Sequence, residues 1–317
     1  MTAPAGLRFG LHSGQQYREF GECLHLWQRA EQLGYDWVSL FDHLRPPIFG
    51  ASGPCFEATT LLAALAASTS RVRCGLLVSP PTWRHPAVTA ATAATIDHIS
   101  GGRLELGLGL GSADDAYAEW GIANPPAADR LRLLAETCTV LRGLWEQDSF
   151  SFAGEHVRLT DAHLVPKPVQ ARLPLVLGGA GPRLLELAGR HADVWNSLVC
   201  PIGPYRQRVA ALADGCRAAG REPSEVRVSM TFRVILGRTD ADAADRAAQI
   251  LGRLPAGSSD RGEYLAVGSP GTVAGALRPY LDAGVGDLLL GNRPPLDWYT
   301  IEAFVAEVAP RLRAARA

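Results

Sequence analysis

An Asp42-His43 pair follows the apolar run Trp37–Phe41, which is predicted to be a buried strand. A histidine exchanges protons near neutral pH, and an adjacent carboxylate can fix its tautomer or bond a ligand. If the run belongs to a parallel sheet, the pair lies at the carboxyl end of the strand, where such folds bind ligands. The sequence therefore predicts proton transfer at His43, although a histidine that caps a loop would give the same pattern.

Two glycine-rich segments could let the backbone approach a ligand. Gly178-Gly179-Ala180-Gly181 precedes a predicted helix, whose free N–H groups favour an anion such as a phosphate, unless the segment is only a tight turn. Gly107, Gly109 and Gly111 alternate along a predicted strand. Glycines there indicate either the close approach of a backbone or flat ligand, or crowding inside a barrel.

A tryptophan, an arginine and a histidine, Trp83, Arg84 and His85, come together after the apolar run Val72–Val78. They could line a pocket, or Trp83 could pack while Arg84 pairs with a carboxylate. Trp195 and Asn196 pose the same choice at the end of another strand. HExxH, GxSxG and Walker patterns are absent from the sequence, so it does not favour a metal-dependent hydrolase.

The elements that must position these residues alternate along the chain as strand and helix. Residues 149–172 break this rhythm with a hairpin-like alternation around Gly154. We therefore predict an α/β fold, a (β/α)8 TIM barrel with an insertion around residues 148–172, in which residues 1–317 form one domain. The predicted strands are Leu7–His12, Trp37–Phe41, Val72–Val78, Leu104–Leu110, Leu173–Leu177, Asp193–Ser197, Arg227–Leu236 and Asp287–Leu290.

Composition excludes several classes of function. The formal net charge is −1, which does not indicate a nucleic acid or membrane partner. The sequence shows neither a signal peptide nor a membrane-spanning run, and its six dispersed cysteines lack CxxC spacing, so we expect a cytoplasmic protein with buried thiols. Lys167 is the single lysine, and its setting between two prolines predicts a solvated loop charge, so imine chemistry is excluded.

At these residues the sequence resembles the luciferase-like superfamily of flavin and deazaflavin barrels. Within it, the chain is most similar to the coenzyme F420-dependent oxidoreductases. The matching motifs occur in the family's order and cover essentially the whole chain. They are residues 39–43 (SLFDH), 82–88 (TWRHPAV), 102–109 (GRLELGLG), 164–168 (LVPKP) and 179–182 (GAGP), with 192–193 (AD).

The resemblance implies that His43 faces the reactive ring of F420 and assists proton transfer, with Asp42 beside it. It also implies a bulge at Leu77-Val78, often with a non-proline cis peptide, behind the ring. The implied cofactor contacts are Asp42, Leu77, Val78, Leu110 and Gly111, with Gly179, Ala180 and Gly181 around the phosphate.

The chain departs from one branch of that family, the F420-dependent glucose-6-phosphate dehydrogenases. That branch has glutamates where this chain has Gln15 and Ser112, and a tryptophan where Pro47 stands. Its sugar-phosphate lysines cannot be matched by one lysine. We therefore expect a less polar pocket and no sugar-phosphate substrate. The predicted substrate contacts are Gln15, Phe49, Trp83, Ser112 and Trp195.

The resemblance thus implies an F420-dependent oxidoreductase that transfers a hydride between the deazaflavin and a small organic substrate. The alternative in the same class is an FMN-dependent luciferase-like monooxygenase. A barrel that binds a cofactor without turnover is a further alternative, but it would not need a proton-transfer pair. We expect no metal, and the resemblance implies a homodimer without locating its interface.

Overall fold

The protein is described by a computed structural model that covers residues 6–46, 53–111, 116–253, 265–292 and 295–314. Eight parallel strands close into a barrel, in which each strand pairs with its neighbours in sequence and the last pairs with the first. This confirms the predicted (β/α)8 barrel. The barrel strands are β1 (Arg8–His12), β2 (Trp37–Leu40), β3 (Arg73–Leu76), β4 (Leu104–Leu108), β5 (Leu175–Gly178), β6 (Val194–Leu198), β7 (Arg227–Phe232) and β8 (Asp287–Gly291).

Helices cover the outside of the barrel. A 3₁₀ turn, Pro223–Glu225, precedes β7, and a π-helical turn, Phe304–Val308, joins the last two helices. The helices are α1 (Phe20–Leu33), α2 (Ala58–Ser68), α3 (Pro86–Ser100), α4 (Ala116–Glu119), α5 (Ala127–Glu146), α6 (Pro182–His191), α7 (Ile202–Ala218), α8 (Asp240–Gly252), α9 (Pro270–Asp282), α10 (Trp298–Ala303) and α11 (Ala309–Ala314).

Local signals set the helix ends. α1 ends at Gly34, whose φ of 88° is the left-handed conformation that glycine adopts without a steric penalty. α3 begins with Pro86 at its first turn and ends at Gly101, again with positive φ. Because such signals are local, they can be recognised in the sequence alone.

The predicted insertion is a two-stranded hairpin, Phe150–Ala153 with Arg158–Ala162, followed by an irregular segment. Lys167 in that segment donates hydrogen bonds to the carbonyl oxygens of Leu144, at 2.8 Å, and Gln147. These carbonyls lie at the C-terminal end of α5, where a cation is favourable. The expectation of a solvated loop charge is therefore wrong, because Lys167 ties the insertion to the barrel.

The predicted strand Arg227–Leu236 is also divided. Its first part is β7, whereas Val234–Leu236 leaves the barrel and pairs in parallel with Ala266–Gly268. Leu236 N–H donates to Thr300 Oγ1 at 2.9 Å. Residues 230–232 and 234–236 are buried on either side of Arg233, so periodicity alone did not reveal the change of partner.

Ion pairs close the amino-terminal end of the barrel. Arg8 bonds Glu105 at 2.7 Å and Asp287 at 2.5 Å, and both carboxylates are 2% exposed. Arg73 pairs with Glu105, and Arg227 with Asp287. Burial raises the pKa of Glu105, but the charges of Arg8 and Arg73 outweigh it and hold that pKa below its usual value. This end of a TIM barrel supports stability, which leaves the opposite end for chemistry.

The helices in the described ranges are each too short or too polar to cross a lipid bilayer.

Candidate active site

His43 lies at the carboxyl end of β2, as predicted, within a row of aromatic side chains. Its ring centroid is 5.0 Å from that of Phe41 and 6.4 Å from that of Trp83. Trp83 in turn lies 5.7 Å from Tyr117, whose hydroxyl is 3.0 Å from Thr82 Oγ1. The half-buried imidazole therefore has an apolar wall on the side of the loop that follows β3.

The carboxylate of Asp42 is hydrogen-bonded by side chains from the loop that follows β3. Its Oδ2 accepts a hydrogen bond from Ser79 Oγ at 2.6 Å and from Arg84 Nη1 at 2.5 Å, and its Oδ1 lies 3.3 Å from Arg84 Nη2. The side chain of Asp42 is 1% exposed. The alternative in which Arg84 pairs with a carboxylate is therefore the observed one, while direct contact of Asp42 with the cofactor stays a prediction.

Arg84 also connects Asp42 to α2. It bonds Glu57, which accepts hydrogen bonds from the N–H groups of Thr59 and Thr60 at the start of that helix. Burial raises the pKa of Glu57, but the donors of Thr60 and Thr59 outweigh it, so that the pKa falls to about 2. Three segments, the ends of β2 and β3 and the start of α2, are thus fixed around one guanidinium.

Cys55 packs behind the histidine, with its Sγ 3.5 Å from the carbonyl oxygen of His43. Burial, with a smaller contribution from the charge of Asp42, raises the pKa of this thiol to about 12. The thiol is therefore protonated at neutral pH and is not a nucleophile.

The segment that follows β3 packs against the ends of β4 and β5. The Leu77-Val78 peptide is cis, as the resemblance implied. A Cβ on Gly109 would lie 2.4 Å from Val78 Cγ2, and one on Gly178 would lie 2.7 Å from Val78 Cγ1. One on Gly107 would lie 1.9 Å from the carbonyl oxygen of Leu76. Gly107 therefore makes room for a neighbouring backbone, which is the close-approach alternative, whereas Gly109 makes room for a side chain, which is the crowding alternative.

Hydrogen bonds hold this segment against β4. Ser79 N–H donates to the Gly107 carbonyl at 2.9 Å, and Gly109 N–H donates to the Ser79 carbonyl at 3.0 Å. Gly111, two residues later, has a φ of 72°, and a Cβ there would meet Tyr117 Oη at 2.6 Å. Leu110 beside it is half-buried. Cofactor contacts of Leu77, Val78, Leu110 and Gly111 stay predictions.

The loop after β5 presents an open helix N-terminus. Gly181 is the N-cap of α6 and supplies no side-chain cap, and Pro182 occupies the first turn. A Cβ on Gly181 would have no atom within 4 Å, and Gly179, with a φ of 139°, is exposed. Exposed N–H groups at a helix start fit a phosphate, so this loop could hold the phosphate of a cofactor.

The predicted substrate residues have different settings. Gln15 is buried and donates to the carbonyl oxygens of Phe41 at 2.8 Å and Phe56 at 3.2 Å, which places it beside His43. Trp195 is fully buried, and its indole N–H donates to the Gly179 carbonyl at 2.8 Å. It therefore supports the glycine-rich loop that follows β5. Its contact with substrate stays a prediction. Phe49 and Ser112 lie outside the described residues.

Three residues of this region were missed from the sequence. Ser79 and Tyr117 bind side chains from other loops, and such contacts over 35 or more residues leave no periodic signal. Arg18 is 4% exposed and lies in the loop that follows β1. One signal was available for Ser79, since it opens the Ser-Pro-Pro break directly after an apolar run.

The family described as luciferase-like monooxygenase matches residues 1–281. The chain belongs to this family. Luciferase-like proteins similar to it include an F420-dependent glucose-6-phosphate dehydrogenase of Microbacterium testaceum, 34% identical over 74% of this chain and 69% of the relative. An F420-dependent hydroxymycolic acid dehydrogenase of Mycobacterium tuberculosis is 31% identical, over 95% of this chain and 87% of the relative.

Among solved structures, the luciferase-like barrel is similar to an F420-dependent secondary alcohol dehydrogenase in complex with an F420-acetone adduct. The TM-score is 0.83 with 23% identity, over 97% of this chain and 99% of that one. At this identity the likeness concerns the fold alone.

Proposed function

We propose that this luciferase-like protein is an F420-dependent oxidoreductase that transfers a hydride between the deazaflavin and a small organic substrate, with the chain acting as one barrel domain. One observation carries the proposal: a histidine suited to proton transfer and an uncapped, exposed helix N-terminus suited to a phosphate lie at the same barrel mouth. The two relatives above are named F420-dependent dehydrogenases, which supports the choice of cofactor.

The protein's share of the reaction follows from its own groups. When bound, F420 supplies a deazaflavin carbon that accepts or returns a hydride. The N–H groups around Gly181 would hold its phosphate, and the segment at Val78 would contact its ring. His43 accepts a proton from a substrate hydroxyl during oxidation and returns it during reduction.

We propose that the indole ring of Trp83 forms one wall of the substrate pocket. Its ring lies between His43 and Tyr117. Its indole Nε1 is buried, and within the described ranges no acceptor lies in hydrogen-bond reach of it. A ligand oxygen would satisfy this donor, since buried polar groups are generally hydrogen-bonded.

Cofactor choice is tested by fluorescence titration of the purified protein with F420 and, separately, with FMN. Tight binding of F420 alone would support the proposal. A preference for FMN would replace it with a flavin monooxygenase, the activity that gives the family its description. Binding of neither cofactor would overturn it, and Gly181→Asp should weaken whichever cofactor binds through its phosphate.

A further inference from the structure

The loop between β1 and α1 buries three polar side chains whose hydrogen-bonding capacity is not met by the described part of the chain. Gln15, Gln16 and Arg18 are 0%, 1% and 4% exposed. Within the described ranges, Nη1 and Nη2 of Arg18 and the Oε1 atoms of both glutamines have no hydrogen-bond partner. Buried groups of this kind are normally paired, so the cluster indicates a ligand.

Arg18 is the strongest member of the cluster. Burial lowers its pKa to about 10, which still leaves the guanidinium charged at neutral pH. The charge of Glu22 acts on it, but that carboxylate is exposed and accepts a hydrogen bond from the N–H of Glu19 at 2.9 Å. A buried cation without a bonded counterion is unfavourable, and an anion that enters the site would relieve it.

The loop is close to His43. It leaves the carboxyl end of β1, which pairs with β2, the strand that leads to the histidine. Gln15 Nε2 bonds the carbonyl of Phe41, two residues before His43, and Tyr17 N–H bonds the Pro54 carbonyl at 2.8 Å. These contacts place the cluster on the proton-transfer side of the mouth.

The loop is also far around the barrel from the proposed phosphate site. In the cyclic strand order, β1 lies opposite β5, which leads into Gly179–Gly181. A charge at Arg18 therefore serves a different ligand from the cofactor phosphate.

We propose that Arg18 binds an anionic oxygen group of the substrate, a carboxylate or a phosphate, and that Gln15 and Gln16 accept hydrogen bonds from its hydroxyls. The substrate is then a hydroxylated organic anion, and this assignment rests on the proposed function. Such a pocket is more polar than the sequence led us to expect. The planar guanidinium group can donate two parallel hydrogen bonds to a carboxylate or to a phosphate. An experiment must therefore show which of these two groups the substrate carries.

The test uses the F420-loaded protein, titrated calorimetrically with acetate and with inorganic phosphate at constant ionic strength. We expect saturable binding of one of them, and which one binds identifies the group. Arg18→Gln should weaken that binding at least tenfold. Arg18→Lys, which keeps the charge but not the fork, should weaken it less. Arg29→Gln is the matched control, because Arg29 lies on α1 in an exposed pair with Glu302.

F420 affinity is measured first for every variant, and it should not change in Arg18→Gln. If the wild type does not bind F420, the proposed function is overturned and this inference with it. If F420 binds but neither anion saturates the protein, or if both anions bind Arg18→Gln as they bind the wild type, the inference alone is overturned. Should Arg18→Gln fail to fold, Arg18→Lys decides: unaltered anion affinity there overturns the inference.

Discussion

Arg84 bonds the carboxylate of Asp42, the residue immediately before His43, although the two are 42 positions apart in sequence. The arginine follows β3 and the aspartate follows β2, so the ion pair fixes two loops of the barrel mouth relative to each other. The direction in which His43 leaves the backbone therefore depends on a side chain from the next loop. Arg84 is a positioning residue in this arrangement.

Arg84→Gln should destabilise the protein by about 2–4 kcal/mol, because it leaves the carboxylate of Asp42 buried without its cation. The free energy of unfolding in urea measures this. Arg217→Gln, which breaks an exposed pair with Asp214, should cost less than about 1 kcal/mol. The double variant Asp42→Asn with Arg84→Gln should recover part of the loss. Equal effects of the two arginine variants would show that the buried pair of Arg84 with Asp42 stabilises the protein no more than an exposed pair does.

His43→Ala should lower turnover by about 10²–10⁴-fold, the usual scale of acid–base assistance, and leave F420 affinity within a few-fold. Steady-state kinetics and fluorescence titration separate the two effects. His98→Ala, at an exposed histidine in the last turn of α3, should behave like the wild type in both assays. Near-normal turnover of His43→Ala would remove the histidine from the mechanism.

Gly181→Asp should weaken F420 binding because it adds a carboxylate at the proposed phosphate site. Gly181→Asn has nearly the same shape without the charge and is the control. Both side chains have room, since a Cβ at this position meets no atom within 4 Å, and both residues are good N-caps. Thermal stability should therefore hold or rise in both, while affinity falls mainly in the aspartate variant. Equal affinities would place the phosphate elsewhere.

Gly109→Ala should cost about 1–3 kcal/mol of stability, because the new methyl group would lie 2.4 Å from Val78 Cγ2. Val78→Ala removes the methyl group with which the new side chain clashes. The double variant Gly109→Ala with Val78→Ala should therefore lose less stability than the sum of the losses in the two single variants. Gly271→Ala is a control in open space at the start of α9. Additive losses in a urea denaturation cycle would show that the two side chains do not compete for space.

Stability should fall as the pH drops from about 6.5 to 4, in part because of His191. Burial, together with the charges of Arg190, Arg142 and Arg221, lowers the pKa of His191 to about 4. Between its unfolded and folded pKa values the unfolded chain binds the proton and the folded chain does not, so acid favours unfolding. The contribution is at most about 3 kcal/mol.

His191→Gln should flatten that part of the stability profile, as measured by urea unfolding at pH 7 and pH 4.5. His156→Gln, at an exposed histidine of the hairpin, should keep the wild-type slope. The same slope in His191→Gln and the wild type would show that other groups cause the acid loss.

The barrel could be predicted because its signals are local. Strands such as β3 and β4 are buried on both faces, so they occur as mostly apolar runs in which Arg73 and Glu105 are the charged residues, and α3 between them begins at a proline and ends at a glycine. α1, for example, ends at Leu33, directly before the glycine signal at Gly34. The boundary at Arg233 escaped prediction because a strand that changes partner keeps its apolar pattern.

The site could be predicted only where one segment carries the signal. Asp42-His43 and the glycines after β5 are each contiguous, and each is found at the carboxyl end of a strand. The Arg84–Asp42 pair depends on how two loops fold against each other. The unmet hydrogen bonds of Arg18 depend on every neighbour of its side chain, so no pattern in the sequence signals them.

The bonds of Lys167 to the end of α5 have a practical consequence for labelling. Amine-directed reagents have one side-chain target in this chain, besides the terminal amine. That ε-amine must first release two carbonyl oxygens before it can react, so mild acylation should modify the terminus and spare the side chain. Conjugates made this way would be uniform, with every molecule attached to a dye or surface through the same atom.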